Sequence, residues 1–275
     1  MAKFTAAVVQ MHCGTDMAKN VELMRDGVKN AANSGANYIQ TPEMTGLVQQ
    51  HRKEFFEQVQ IEADDPIITE ASKLAKEFSI TLHIGSTPIL IEEGKAANRA
   101  YLFGKDGIKR ASYDKIHMFD VDLDRGESWR ESAIYQAGQQ GVIVDVEGVS
   151  LGMAICYDCR FPELYTKYAR EGVEVLTNPS CFTRQTGKAH WHVLLRSRAI
   201  ENGAFMIAAA QGGDLEDGRE TFGHSIMINP WGDIIAEVAG EEPGFALAEI
   251  DTAEVVAARR KVPNLVNHRA FKIKR

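Results

Sequence analysis

No run of this 275-residue chain is apolar over anything close to the ~20 residues a membrane-spanning helix needs, so a helical membrane protein is excluded. Cysteine is scarce. Four residues, at positions 13, 156, 159 and 181, fit reduced thiols and not a disulfide scaffold. Positive charge is not in surplus either: 31 Lys and Arg stand against 38 Asp and Glu, a net charge of −7, which argues against a nucleic-acid partner. The basic C-terminus (Arg269, Lys272, Lys274, Arg275) is too short to reverse that balance. The opening MAKFTAAVVQM lacks the length and cleavage pattern of a signal peptide. Phosphate cradles are missing, since there is no GxGxxG and Gly187-Lys188 has no P-loop frame. These absences leave a cytoplasmic protein with no nucleic acid and no membrane as partner.

What is present is an α/β pattern, in which short β-branched runs alternate with helical stretches. Phe4 to Met11 reads as a strand. Met17 to Ser34 reads as an amphipathic helix capped by Asp16, and Asn37 to Thr41 as the next strand. Asp65-Pro66 opens a helix to about Phe78. Strands are expected at Ile80 to Ser86, Arg99 to Phe103, Ile108 to Tyr113, Val142 to Val146 and Val149 to Ile155, with a looser stretch from Lys115 to Gly141. A helix from Pro162 to Gly172, a strand from Val173 to Asn178, a helix from His190 to Asn202 and an apolar strand from Ala204 to Ala210 follow. Strands at His224 to Ile228, Ile234 to Val238 and Phe245 to Ile250 precede a last helix, Ala253 to Lys261. Residues 31–43 (AANSGANYIQTPE) and 168–180 (YAREGVEVLTNPS) share one phrase: helix end, Gly, short strand, Thr, then Pro. Two similar halves packed as one domain over residues 1–275 is the implied organisation.

In open α/β sheets chemistry gathers where strands end. Cys156 follows the apolar strand VSLGMAI and precedes the helix opened by Phe161-Pro162, a setting like a nucleophile elbow without its GxSxG. A thiol near a helix N-terminus is expected to have a lowered pKa. A nucleophilic cysteine needs a base and an oxyanion stabiliser. His117 is one candidate base, although nothing in DKIHMFD marks a carboxylate partner for it. Glu43 (QTPEM) and Lys115 offer another solution, a carboxylate to take the thiol proton and an ammonium to face the oxyanion. Read singly, both are ordinary surface charges. The Cys156-x-x-Cys159 spacing also raises a redox or zinc motif. Pro162 places the helix start too late for a thioredoxin-like site, and Cys13 and Cys181 are isolated as further ligands. His190 and His192 point to different helix faces, so no metal site is read here.

Glu43 in TPEMTG, Lys115 in YDKIHMFDVD and Cys156 in GMAICYDCRFPELY together resemble the Glu-Lys-Cys triad of the nitrilase, or carbon-nitrogen hydrolase, superfamily. The resemblance spans essentially the whole chain and continues in TNPSCFTRQTGKAHWHVLLRSRAIEN and GHSIMINPWGDIIAEV. Within the superfamily the chain is similar to the branch that includes deaminated-glutathione amidases, with omega-amidases sharing the TGxAHW block.

The resemblance implies a four-layer αββα sandwich that forms a homodimer, with a tail from about residue 262 in the dimer contact. It implies cofactor-free hydrolysis of a small-molecule amide to carboxylate and ammonia through a cysteine thioester. Glu43 is then the base, Cys156 the nucleophile, and Lys115 and the Tyr157 backbone N–H the oxyanion site. Glu131, in WRESAIYQAG, stands where the family has a second glutamate that holds the lysine and the substrate amide. ESAIYQAG lacks the proline the family often has before that glycine, and Cys159 inherits no role. Asn178, Phe182, Thr183, Arg184 and Arg130 are expected around the substrate from their places near strand ends. The alternative chemistries are omega-amidase action on 2-oxoglutaramate-like amides, N-carbamoyl amino acid hydrolysis and nitrile hydrolysis.

Overall fold

In the first strand, β1 (Lys3–Gln10), Phe4, Ala6 and Val8 join one apolar cluster while Ala7 and Val9 join another. That period-two division is what a strand covered on both faces requires. The computed structural model describes residues 2–123 and 127–275. The strands that follow are β2 (Tyr38–Gln40), β3 (Thr81–Glu92), β4 (Lys95–Phe103), β5 (Lys109–Asp114), β6 (Asp120–Asp122), β7 (Ser128–Arg130), β8 (Val142–Val146) and β9 (Val149–Met153). After them come β10 (Val175–Thr177), β11 (Phe205–Ala208), β12 (Gly212–Asp214), β13 (Glu220–Phe222), β14 (Ile226–Ile228), β15 (Ile234–Glu237) and β16 (Gly244–Asp251). The helices are α1 (Met17–Asn33), α2 (Arg52–Gln58), α3 (Pro66–Glu77), α4 (Pro162–Arg170), α5 (Arg184–Asn202), α6 (Ala253–Lys261) and α7 (Asn264–Asn267).

Two six-stranded mixed sheets result, ordered β16-β1-β2-β3-β4-β5 and β15-β14-β11-β10-β9-β8. The cluster containing Ala7, Val9, Ile39 and Leu82 packs the first sheet against Met24 and Val28 of α1 and Ile67 and Leu74 of α3. The other cluster joins Phe4, Val8 and Leu102 of the first sheet to Leu151, Leu176 and Ile207 of the second. It continues to Tyr165 of α4 and Trp191 and Leu195 of α5. Helix, sheet, sheet, helix is therefore the order of layers, the expected αββα sandwich. Each fully buried aliphatic or aromatic side chain contributes roughly 1.5–3 kcal/mol to holding those layers together.

The repeated phrase maps onto equivalent places. β2 lies parallel between β1 and β3 in one sheet, and β10 lies parallel between β9 and β11 in the other. The two proline-bearing strand ends meet at Gly85, where an added Cβ would lie 2.2 Å from the Thr41 carbonyl oxygen and 2.5 Å from Pro179 Cβ. Only a residue without a side chain lets the two halves approach this closely.

Several boundaries differ from the sequence reading, each for a local reason. Helix α5 begins at Arg184, well before His190, because Thr183 caps it by accepting from the Thr186 N–H. The stretch expected to be looser contains the polar hairpin β6–β7, and β12–β13 is a second hairpin with no apolar alternation to announce it. Strand β3 runs on through Pro88 to Glu92, its register with β4 shifting between Ile84 and Thr87. The short helix α2 was not expected.

Asp16 caps α1 through the N–H groups of Ala18 and Lys19, and Asp65 caps α3 through that of Ile68, with Pro66 in the first turn. Asp65 is buried, and that burial pushes its carboxyl up to about 6 despite the bonds from Ile68 and Thr87. The folded state thus keeps a proton that an unfolded aspartate releases near 3.8, so stability is lost as pH rises through that window, by about 3 kcal/mol. Asp65→Asn keeps an acceptor for Ile68 and removes the charge. Its stability relative to the parent is expected to rise between about pH 4 and pH 7 in urea titrations, and a pH-independent difference would contradict this account.

Candidate active site

Glu43 lies three residues past β2, Lys115 directly past β5, and Cys156 just past β9, so three strand ends deliver three side chains to one place. The Lys115 ammonium is 2% exposed and sits 2.8 Å from Glu43 Oε1 and 2.9 Å from both carboxylate oxygens of Glu131. Glu131 stands in a 3₁₀ turn after β7, where it also accepts the Phe119 N–H at 2.6 Å. Asn98, in the middle of β4, donates to Glu43 Oε1 at 2.9 Å and to Glu131 Oε1 at 3.0 Å. The second oxygen of Glu43 accepts the Cys181 backbone N–H at 2.7 Å.

Burial alone would push the lysine down, but Glu131 and Glu43 outweigh it and hold its pKa well above the ordinary value. Glu43 is pulled the other way. Burial would raise it, yet the Lys115 charge and the bonds from Lys115, Cys156 and the Cys181 N–H keep it below the usual carboxylate range. The Glu43 carboxylate is ionised and the Lys115 ammonium is charged.

Cys156 opens a 3₁₀ turn, Cys156–Arg160, with φ at +47°, a left-handed conformation that costs a non-glycine residue of the order of 1–2 kcal/mol. Its N–H is bound by Pro179 O at 2.9 Å, and Asn178 Nδ2 holds its carbonyl at 3.2 Å. The expected lowering of the thiol is overturned. Burial, followed by the adjacent Glu43 charge, raises Cys156 well above an ordinary thiol, and Lys115 offsets this only in part. A thiol raised in this way rests protonated beside the Glu43 carboxylate. Tyr157 occupies the second position of the turn, where the amide has no carbonyl within the turn to bond.

A cavity of about 360 Å³ opens over this group, lined among others by Glu43, Lys115, Glu131, Cys156 and Tyr157. Of the residues expected near substrate, Phe182, Thr183 and Arg130 line it, with Arg130 Nη2 donating to both carboxylate oxygens of Asp122. Asn178 is instead buried beneath the elbow, bonded to Tyr165, Ser180 and the Cys156 carbonyl. Arg184 lies outside this cavity, engaged by Asp214, Glu220 and Glu241.

His117 is not free to act as a base on Cys156. Its Nδ1 bonds Asp158 Oδ1 at 2.6 Å, its ring stacks on Phe161 at 3.6 Å, and it does not line the cavity. Asp158 also receives the Tyr113 hydroxyl and the Ile155 N–H, so this one carboxylate braces the elbow from three elements. Cys159 is fully buried, pushed up to about 12 by burial, and outside the cavity. Away from the cavity, Glu237 accepts from His224 Nδ1 at 2.7 Å and His192 Nε2 at 3.0 Å. Among the described residues this trio is the one grouping whose donor atoms converge closely enough for a metal ion.

Sequence reasoning missed Asn98, the Cys181 amide and Arg219, which lines the cavity beside Trp129. Asn98 left no signal, lying between Ala97 and Arg99 just ahead of the strand expected from Arg99.

The sequence profile of the carbon-nitrogen hydrolase family matches residues 5–260. The chain belongs to the carbon-nitrogen hydrolase family. A deaminated glutathione amidase of Synechocystis sp. is 39% identical over 98% of this chain and all of that protein. The crystal structure of the C. elegans NitFhit protein superposes with a TM-score of 0.90 at 32% identity, covering 98% of this chain and 65% of that one. A variant of an amidase from Nesterenkonia sp. AN1 shows covalent addition of the acetamide moiety of fluoroacetamide at its active-site cysteine. It matches with a TM-score of 0.80 and 25% identity over 94% of both chains. This carbon-nitrogen hydrolase has the nitrilase fold, and among its described residues no helix is long and apolar enough to cross a membrane.

Two outcomes follow from the buried charges. Lys115→Ala strands two carboxylates without their cation and is expected to cost about 3–5 kcal/mol in urea unfolding; a loss under 1 kcal/mol would mean the lysine is not their counter-ion. Because Glu43 is held below its ordinary value of 4.5, its ionised form persists to lower pH. The acid limb of kcat/KM is expected below pH 4.5, and a limb near neutrality would assign the base elsewhere.

Proposed function

We propose that the chain is an amidase that hydrolyses a small-molecule amide through a thioester on Cys156, with a deaminated-glutathione-type amide as substrate. The observation that carries the reading is the convergence of a protonated thiol, an ionised glutamate and a buried ammonium in one cavity. Glu43 takes the thiol proton while the sulfur attacks the amide carbon. The Lys115 ammonium and the Tyr157 N–H hold the oxyanion that forms. Glu43 returns the proton to the amide nitrogen, the C–N bond breaks, and ammonia, or an amine where the amide is substituted, departs. Water then loses a proton to Glu43 and attacks the thioester, and the thiolate leaves with that proton. Glu131 keeps Lys115 in place and offers an acceptor to the amide N–H.

Every proton in this cycle moves between Glu43, Cys156, water and substrate, so the reading requires no cofactor. The adduct at the cysteine of the Nesterenkonia amidase and the identity to the Synechocystis enzyme both support it. Phe182, Thr183 and Arg130 are the substrate contacts it favours. Four free thiols support a reducing, cytoplasmic setting. Exposed apolar side chains on α5 and beyond it (Val193, Ile200, Trp231, Val262), continued by Phe271 and Ile273 of the tail, support a homodimer of single-domain chains.

The test is a panel of deaminated glutathione, 2-oxoglutaramate, an N-carbamoyl amino acid and a simple nitrile, with product release measured for each. The parent is expected to prefer the first, and turnover of the nitrile alone would sink the amidase reading. Cys156→Ala is expected to abolish turnover and Cys159→Ala to leave most of it. The reverse result would move the nucleophile to the second thiol.

A further inference from the structure

Glu237, the last residue of β15, offers one carboxylate oxygen to two imidazoles at once. Its Oε1 accepts from His224 Nδ1 at 2.7 Å and from His192 Nε2 at 3.0 Å. His192 stands on α5 and His224 two residues ahead of β14, so three separate parts of the fold meet at this atom. The three donor atoms all lie within 4.8 Å of one another. His192 thus finds its partner imidazole not in His190 but across the fold.

The two rings are held from several sides. The His224 N–H donates to the Gly240 carbonyl at 3.0 Å, and the His224 carbonyl accepts from Trp191 Nε1 at 2.8 Å, beside His192 on α5. Phe222 stacks on the His224 ring at 4.4 Å, and the two imidazoles stand edge to face at 5.4 Å. No lysine or arginine pairs with Glu237 among the described residues, so its charge faces only these rings. Glu237 Oε2 and the outer nitrogen of each ring have no hydrogen-bond partner among the described residues. The side chains are 25–33% exposed, so water and ions reach them. A neutral imidazole that gives up its inner proton takes one on the outer nitrogen, and the inner lone pair is then free to ligate.

We infer that His192, His224 and Glu237 form a binding site for a divalent transition-metal ion of the zinc class, a clip that joins α5 to the β14–β15 edge of the second sheet. Two imidazole nitrogens and a carboxylate oxygen are donors that zinc takes at ~2.0–2.2 Å, with water as a fourth ligand, whereas calcium and magnesium are bound through oxygen. Donors of such a tetrahedron stand roughly 3.3 Å apart. Both distances to Glu237 are already within a few tenths of an ångström of that spacing. The trio does not line the catalytic cavity, so the ion takes no part in amide cleavage. Thr186 of α5 and Thr221 of β13 do line it, and the clip braces that wall from outside. The inference is independent of the amidase reading.

The test is zinc uptake by the chelator-treated chain in competition with a chromophoric chelator. The parent and Cys156→Ala are each expected to take up one equivalent with a rise in Tm, and calcium or magnesium at the same concentration to produce no rise. Glu237→Gln keeps an oxygen for both imidazoles and removes the charge, while His192→Gln removes one ring from a partly exposed position. Each is expected to weaken zinc by at least the roughly 10–100-fold that loss of even an outer-shell partner costs, and to abolish the Tm shift. Cobalt(II) in place of zinc is expected to show ligand-field bands without sulfur-to-metal charge transfer. A parent that takes up no zinc, variants that hold it as tightly as the parent, or an equal response to calcium would overturn the site. So would a thiolate charge-transfer band that disappears in Cys156→Ala, since the ion would then sit in the catalytic cavity.

Discussion

An ammonium cannot be taken out of water alone, and the site is organised around that fact. Lys115 is buried where its isolated charge would cost several kcal/mol. Glu43 and Glu131 both point at it, and Asn98 ties the two carboxylates together from a neighbouring strand. The arrangement then does more than neutralise the lysine. Sharing the cation keeps Glu43 ionised, and burial together with that charge keeps the nearby thiol protonated. The resting site thereby pairs a thiol with a carboxylate able to take its proton, without a free thiolate exposed to oxidants.

Much of this was legible in the chain because the residues that matter most sit at strand ends, where periodicity stops and a polar residue stands out. Glu43, Lys115 and Cys156 could be found that way, and their blocks resemble a known family. Other parts left no such mark. Asn98 is hidden inside a strand, the Cys181 contribution comes from a backbone amide, and Arg219 sits in a polar hairpin without alternation. The helix terminus suggests a lowered thiol, but burial and then the carboxylate beside it set the direction. Burial, and charges brought together by folding from distant positions, can outweigh a local dipole.

His117 shows how a residue with suitable chemistry can serve as a support. Its imidazole, stacked on Phe161 and bonded to Asp158, joins the loop after β5 to the turn that holds Cys156. The same carboxylate gathers Tyr113 and the Ile155 amide, so the strained turn at Cys156 rests on a rigid support. Strain of this kind persists only where the surroundings over-determine it.

The contact at Gly85 has a bearing on tolerance to change. Glu43 and Cys156 come from different sheets, and their separation is governed by how closely the Pro42 and Pro179 ends can approach. A single hydrogen atom acts there as the spacer of a caliper. A methyl group in its place would open the jaws while leaving each sheet internally intact, so a correctly folded chain could be out of gauge for its own chemistry.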